Sequence, residues 1–371
     1  MNKKLISLLL SAALAVSMLT VPAFAAEGDE ADAALNETNE VVVTLGDTVT
    51  ASTVEDTDKT AADKAAADKT KTADSAPAAS TEKKQITYVA LGDSIVAGVG
   101  LADVKYAKDS TTLYSVDMSP NFKGYSPDCY VGKVGTMLGL DRDHVINLGL
   151  PALTAPDLAD MVRDGQMPKM NMESGCWYKY PEFQDYIRKA DVVSVQIGSN
   201  DAFVPCIVAL GNATNWKSEA LAASVLAGDL RASGSPAAAL IQGIKDMHLT
   251  RDERNATWNL LTSEMGKICD RIYPQTTAGL ISVVQEIRKL NPDCQILLMG
   301  YTDPVPFVPC WHNYFKKLNK FEKQLAETYD LTYVAIPKAK TDLDVHPTIS
   351  GHEYIAKKIV NSIELPEDSA Q

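Results

Sequence analysis

"QITYVALGDSIVAGVG", Gln85 to Gly100, is the stretch that decides the fold. Its first half, Gln85–Leu91, is a short apolar run that stops at Gly92. Its second half sets Ser94 directly after a Gly-Asp turn. Four more runs of the same kind follow along the chain: "HVINL" (144–148), "DVVSVQI" (191–197), "CQILLMGY" (294–301) and "LTYVAI" (331–336). Each is short, aliphatic or β-branched, and ends near Gly, Asn or Pro. Short, nearly continuous apolar strands are what a parallel sheet covered on both faces requires.

Helical patterns lie between these runs. "TTAGLISVVQEIRKL" (276–290) puts Leu280, Val283, Val284 and Ile287 on one face, and "NYFKKLNKFEKQLAETYD" (313–330) does the same with Phe315, Leu318, Phe321 and Leu325. The last helix is expected to begin at Ser350, whose spacing to Glu353 is that of a capping box. Alternating strands and helices predict a three-layer α/β/α fold, with ligands bound beyond the carboxyl ends of the strands. One region departs from the rhythm. From about Phe203 to Thr276 there is no strand pattern, only three helical ones. Such an insert is expected beside the ligand crevice, as a lid or substrate platform, or else as a decoration packed on the side.

Further out, the chain divides into three parts. "MNKK", an apolar run and Ala23-Phe24-Ala25 have the form of a signal peptide over residues 1–25. Residues 26–84 are rich in Ala, Asp, Lys and Thr and poor in aromatics, which predicts a disordered spacer or wall-spanning tether. Residues 85–371 carry the domain. The mature protein is therefore expected to be secreted, soluble and monomeric, with no stable membrane insertion and possible association with a cell wall. The 371 residues carry a net charge of −13, which argues against a nucleic-acid partner or adhesion to an anionic membrane. Six cysteines (Cys129, Cys176, Cys206, Cys269, Cys294, Cys310) permit disulfides without fixing their pairing. Cys294, opening a strand, reads as a buried thiol. No C-x-x-C pair and no histidine pair at ligand spacing is present, so no metal site is expected.

The chemistry-bearing residues sit where strands end. Ser94 after the first strand is placed as a nucleophile if a base takes its proton; the same position also suits a plain helix cap. "QIGSNDAF" (196–203) follows the third strand, where the Asn200 amide suits an oxyanion donor and Asn-Asp equally suits a turn. "NLGLPALTAPDL" (147–158) follows the second strand, a loop of small residues able to present backbone N–H groups. "TDLDVHPTISGHEYIAKKI" (341–359) places His346 ahead of the final helix, with Asp342 and Asp344 nearby.

Taken in order, Gly-Asp-Ser, Asn-x-Gly, Gly-x-Asn-Asp and His-Pro resemble the SGNH (GDSL-type) hydrolase superfamily, over roughly Gln85 to Ile363. The resemblance implies a flavodoxin-like sheet of five parallel strands. It also implies an esterase, lipase, thioesterase or carbohydrate deacetylase that needs no metal or organic cofactor. It assigns Ser94 as nucleophile and oxyanion donor through its N–H, Asn200 as side-chain donor and His346 as general base. The family's donor glycine falls at Ala152, whose N–H serves if the dihedrals are not glycine-only; Gly149 is then a turn residue. The family's usual acid position holds Leu343. Asp344 is the favoured orienting acid, with Asp342 or a Ser–His dyad as alternatives. His352 reads as structural, and His144, His248 and His312 as bystanders. The expected substrate is an acyl or acetyl ester of a lipid or glycan. The rival reading is an inert SGNH-like module that binds glycan or presents a surface to a partner.

Overall fold

The computed structural model describes residues 85–364 apart from 102–103, 105–121, 124, 169–176, 227–233, 305, 307 and 342–345. The expected signal peptide and spacer lie outside the described residues, as do Cys176, Asp342 and Asp344.

All five expected strands form. They are β1 (Tyr88–Gly92), β2 (Val145–Gly149), β3 (Val192–Gln196), β4 (Gln295–Met299) and β5 (Thr332–Val334). They make one parallel sheet in the order β2-β1-β3-β4-β5. Register aligns their ends: Gly92 lies opposite both Gly149 and Gln196, Val195 opposite Leu298, and Met299 opposite Val334. The carboxyl ends therefore share one edge. The chain leaves β1 toward β2 and leaves β3 toward β4, in opposite directions. The crevice of such a sheet opens at that divergence.

The helices sort into two layers. In chain order they are α1 (Ser94–Ala97), α2 (Tyr130–Leu138), α3 (Ala155–Asp164), α4 (Glu182–Arg188), α5 (Ser199–Thr214), α6 (Glu219–Leu226), α7 (Pro236–Asp246), α8 (Arg251–Asn259), α9 (Met265–Leu290), α10 (Pro309–Tyr329) and α11 (Ile349–Val360). Helix α2 packs on α11, whereas α9 packs on α3, α4, α5 and α10. Helix α9 buries Leu280, Val283, Val284 and Ile287 completely, as their spacing predicts. It also runs unbroken through Pro274, joining the helical insert to the sheet-covering helix. The Thr276 and Thr277 hydroxyls bond back to the carbonyls of Ile272 and Pro274 around that point.

Three local expectations are corrected. On α10 the buried stripe is Phe315, Leu318, Glu322 and Leu325, and Phe321 is only partly buried. Four residues advance a helix by about 400°, so 318 and 322 share a face while 321 turns off it. The last helix starts at Ile349, and its N-cap is Thr348, whose hydroxyl accepts the Gly351 N–H. Gly149 is the final residue of β2 instead of a turn residue. A Cβ there would lie 2.4 Å from the Ala97 nitrogen, so glycine lets α1 approach the strand.

Among the described cysteines, Cys129, Cys206, Cys269, Cys294 and Cys310 are free thiols. Burial raises the Cys294 thiol to about 11, in keeping with an inert core residue.

Candidate active site

Local sequence builds the site from the strand ends. Gly92 must be glycine, because a Cβ would fall 2.0 Å from the Gln196 carbonyl oxygen. That tight passage lets the chain turn out of β1 into Asp93, the N-cap of α1, which makes Ser94 the first helical residue. His346 arrives from the far end of the chain. A bridge between Thr341 and Pro347, with the Thr348 N–H donating to the Lys340 carbonyl, closes the loop that presents it. The His346 Nε2 stands 2.9 Å from the Ser94 Oγ. His346 is buried, while Ser94 is half-buried.

The loop after β2 is held by polar side chains from its neighbours. Asn147 donates to the Val96 carbonyl and accepts the Gly149 N–H. Ala152 adopts φ 62°, the left-handed region that favours glycine. Asn200, in the first turn of α5, donates one amide N–H to the Leu153 carbonyl at 3.0 Å. An amide carries two such donors, so this bond anchors the side chain and leaves its second N–H for an incoming acceptor. The neighbouring Asp201 accepts the Ala155 N–H at 2.9 Å, at the start of α3. Burial raises its carboxyl to about 7, against the opposing pull of the Ala155 N–H and the Thr276 hydroxyl. Asn200 and Asp201 are thus helical residues whose side chains tie the third strand end to the second, while Ser199 ties it to the first.

Behind Ser94 lies a group that sequence reading treated only as part of a turn. Asp93 is fully buried. Its Oδ1 accepts the Ile95 N–H at 2.9 Å, and its Oδ2 accepts the hydroxyls of Ser199 at 2.7 Å and Tyr301 at 2.9 Å. The three donors come from the ends of β1, β3 and β4. Burial pushes the carboxyl up, and those donors pull it back down. Ser199 was visible in its motif. Tyr301 carried no local signal beyond standing two residues past a strand.

His144, His312 and His352 make their hydrogen bonds away from the Ser94–His346 pair. His352 is fully buried, accepts the Tyr130 N–H on Nδ1 and stacks on the Tyr130 ring. Burial lowers its pKa to about 3, so it is a neutral structural group. His144 bonds the Thr87 hydroxyl before β2. His248 is exposed. His312 pairs with Asp303 at 2.8 Å, after β4. Among the described residues no group of three or more His, Cys, Asp or Glu side chains is placed to hold a metal ion, and no helix is long and apolar enough to cross a membrane.

Several solved structures are similar to this chain. A lipase from a goat rumen metagenome is 15% identical, with a TM-score of 0.42, covering 75% of this chain and 97% of its own. An extracellular lipase from Streptomyces rimosus is 13% identical, with a TM-score of 0.44, over 75% and 100%. An acetyl-xylooligosaccharide esterase from Geobacillus stearothermophilus is 17% identical, with a TM-score of 0.38, over 76% and 95%. Among curated proteins none matches the chain. The model of the GDSL-like lipase/acylhydrolase family matches residues 90–354, a span that holds every strand end described above and both Ser94 and His346. By that match the chain belongs to the GDSL-like lipase/acylhydrolase family.

Proposed function

We propose that the protein is a serine esterase acting on acyl or acetyl esters of a lipid or glycan. The observation that carries this reading is the 2.9 Å contact between the Ser94 Oγ and the His346 Nε2 at the carboxyl end of β1. That distance is the one a general base needs to take a hydroxyl proton. The Ser94 oxygen attacks the ester carbonyl while its proton passes to the His346 Nε2. The carbonyl oxygen becomes an oxyanion, received by the backbone N–H groups of Ser94 and Ala152 and the free amide N–H of Asn200. His346 then gives the proton to the leaving alcohol, and an acyl-enzyme remains. Water repeats the sequence and releases the acid. Asp344, two residues before His346, is the carboxylate assigned to orient the imidazole. The N-terminal 25 residues are read as an export signal, which would deliver the enzyme outside the cell.

The test uses purified mature protein and Ser94→Ala on chromogenic esters from acetyl to long acyl. Replacing the nucleophile is expected to lower kcat by ~10³-fold or more. Equal rates for the two proteins would remove Ser94 from the mechanism. Turnover of no acyl length would favour a binding module.

A further inference from the structure

One peptide unit in the loop after β2 is gripped at both ends. Its N–H, on Ala152, is the proposed oxyanion donor. Its carbonyl, on Pro151, accepts the hydroxyl of the buried Tyr178 at 2.7 Å, from 27 residues further along the chain. Tyr178 is itself held by backbone. The Met167 N–H donates to its carbonyl at 3.0 Å, a bridge joins Gln166 to Lys179, and the Tyr180 N–H donates to the Gly165 carbonyl at 2.7 Å. Leu150 to Leu153 is a tight turn, closed by the Leu153 N–H on the Leu150 carbonyl at 3.3 Å. Proline in its second place and φ 62° in its third are the marks of a type II turn. Types I and II share their ends and differ by roughly half a rotation of the central peptide. Alanine in the third place fits type I without strain, whereas type II suits glycine. The ends of this turn are fixed from outside: the Leu150 N–H donates to the Gly92 carbonyl at 2.9 Å, and Asn200 holds the Leu153 carbonyl. Neither bond decides which way the central peptide faces. The Tyr178 hydroxyl does, because in a type I turn the Pro151 carbonyl swings away from it.

We propose that Tyr178 is a positioning residue of the oxyanion hole. Its hydroxyl holds the Pro151–Ala152 peptide in the type II orientation, against the preference of alanine, and so fixes where the Ala152 N–H points. A donor on the carbonyl also polarises the peptide and strengthens its N–H as a donor. With the peptide turned over, that N–H faces the other way, and the oxyanion keeps only the Ser94 N–H and the Asn200 amide. Tyr178 acts through this peptide and takes no proton from the substrate. The inference rests on the serine-esterase reading with the Ala152 N–H as a donor. It also couples two positions: glycine at 152 would favour the type II turn without help, so the Tyr178 hydroxyl matters most while alanine stands there.

The experiment measures kcat and KM on a chromogenic acetyl ester for wild type, Tyr178→Phe, Ala152→Gly, the double variant and Ser94→Ala. Phenylalanine keeps the ring beside Tyr180 and removes only the hydroxyl. In Tyr178→Phe kcat is expected to fall ~10-fold, short of the ~10²–10³ for outright loss of a donor, with KM changed by less than about threefold. Adding Ala152→Gly to Tyr178→Phe should recover about threefold or more of that loss, although Ala152→Gly alone barely changes kcat. A hydroxyl that only stiffened the fold would show no such rescue, because glycine at 152 does nothing for packing around Tyr178. A Tyr178→Phe kcat within about twofold of wild type, or a loss that Ala152→Gly does not recover, overturns the role of Tyr178. Urea midpoints confirm that each variant is folded, and Tyr178→Met, which also lacks the donor, decides the point if Tyr178→Phe does not fold. Ser94→Ala separates this failure from the wider one: full activity there would defeat the serine-esterase reading, whatever Tyr178→Phe does.

Discussion

Two carboxyl groups, Asp93 and Glu322, are both fully buried, and they are treated in opposite ways. Asp93, at the carboxyl edge of the sheet, accepts three hydrogen bonds from three strand ends. Glu322 lies in the apolar stripe of α10, and neither of its oxygens has a hydrogen-bond partner. Tyr301 faces both: its hydroxyl bonds Asp93, and its backbone is held by Asn319, three residues before Glu322 on the same helix. Burial pushes both carboxyls up, but only Asp93 has donors that push back. An acceptor with three donors holds a turn in one shape. A carboxyl with none is kept neutral and only costs stability. The edge of the sheet is thus organised for position, and the layer beneath it tolerates a misfit.

That contrast predicts that changes at the edge reach kcat, whereas changes at Glu322 reach stability alone. Asn200→Ala is the strongest test at the edge. It removes the proposed oxyanion donor and the anchor on the Leu153 carbonyl together. Loss of one such donor costs ~10²–10³ in kcat, about 2.7–4 kcal/mol in the barrier. KM on short esters should change little, since the donor acts on charge that develops only in the transition state. A fall of less than tenfold would show that the donors on the Ser94 and Ala152 N–H groups suffice, and would weaken the claim that this edge is built for position.

Glu322 gives the converse test. A carboxyl whose folded pKa is raised stays protonated in the fold at a pH where the unfolded chain has released its proton. Stability is therefore lost as pH rises from the ordinary carboxylate range through the raised folded value. Glu322→Gln removes that dependence: against wild type it should gain stability toward neutral pH and gain nothing near pH 4. Glu322→Leu also removes the buried polar atoms and should add about 1–3 kcal/mol at neutral pH. Urea midpoints measured across pH decide both, with ester turnover within about twofold of wild type. A Gln variant that is less stable at neutral pH would mean that the carboxylate has a partner in solution and is no misfit.

The sheet and the Ser94–His346 pair were legible because their signals are local. An apolar run bounded by glycine announces a buried strand, and a hydroxyl or imidazole at a strand end or helix start announces itself. What escaped depends on tertiary contact. On α10 the apolar pattern points Phe321 inward, although helical geometry gives that position to Glu322. Tyr301 lies 208 residues from Asp93, and no spacing rule joins them. Gly149 looked like a turn residue because its real constraint, the approach of the Ala97 nitrogen, belongs to another segment. The acids at 342 and 344 fall outside the described residues, and Asp344→Ala separates an orienting Asp344, by a large loss of kcat, from Asp342 or a Ser–His dyad, by a near-neutral effect.

Ala152 crosses the line drawn between the two regions, because it is an edge residue that should behave like a misfit. The resemblance places a glycine there, and the backbone has kept a glycine's conformation, with φ 62°. A Cβ in that region meets the following carbonyl at a cost of roughly 1–2 kcal/mol. Glycine removes the clash but frees the unfolded chain, which returns roughly 0.5–1 kcal/mol of the gain. Ala152→Gly should therefore be more stable than wild type by about 0.5–1 kcal/mol, seen as a raised urea midpoint at unchanged slope. The N–H stays where it was, so kcat should remain within about threefold, unlike the much larger loss in Asn200→Ala. A stable variant with a large loss of kcat would mean that the strain itself aims the donor. A less stable variant would mean that the methyl group packs in a contact worth more than the strain it causes.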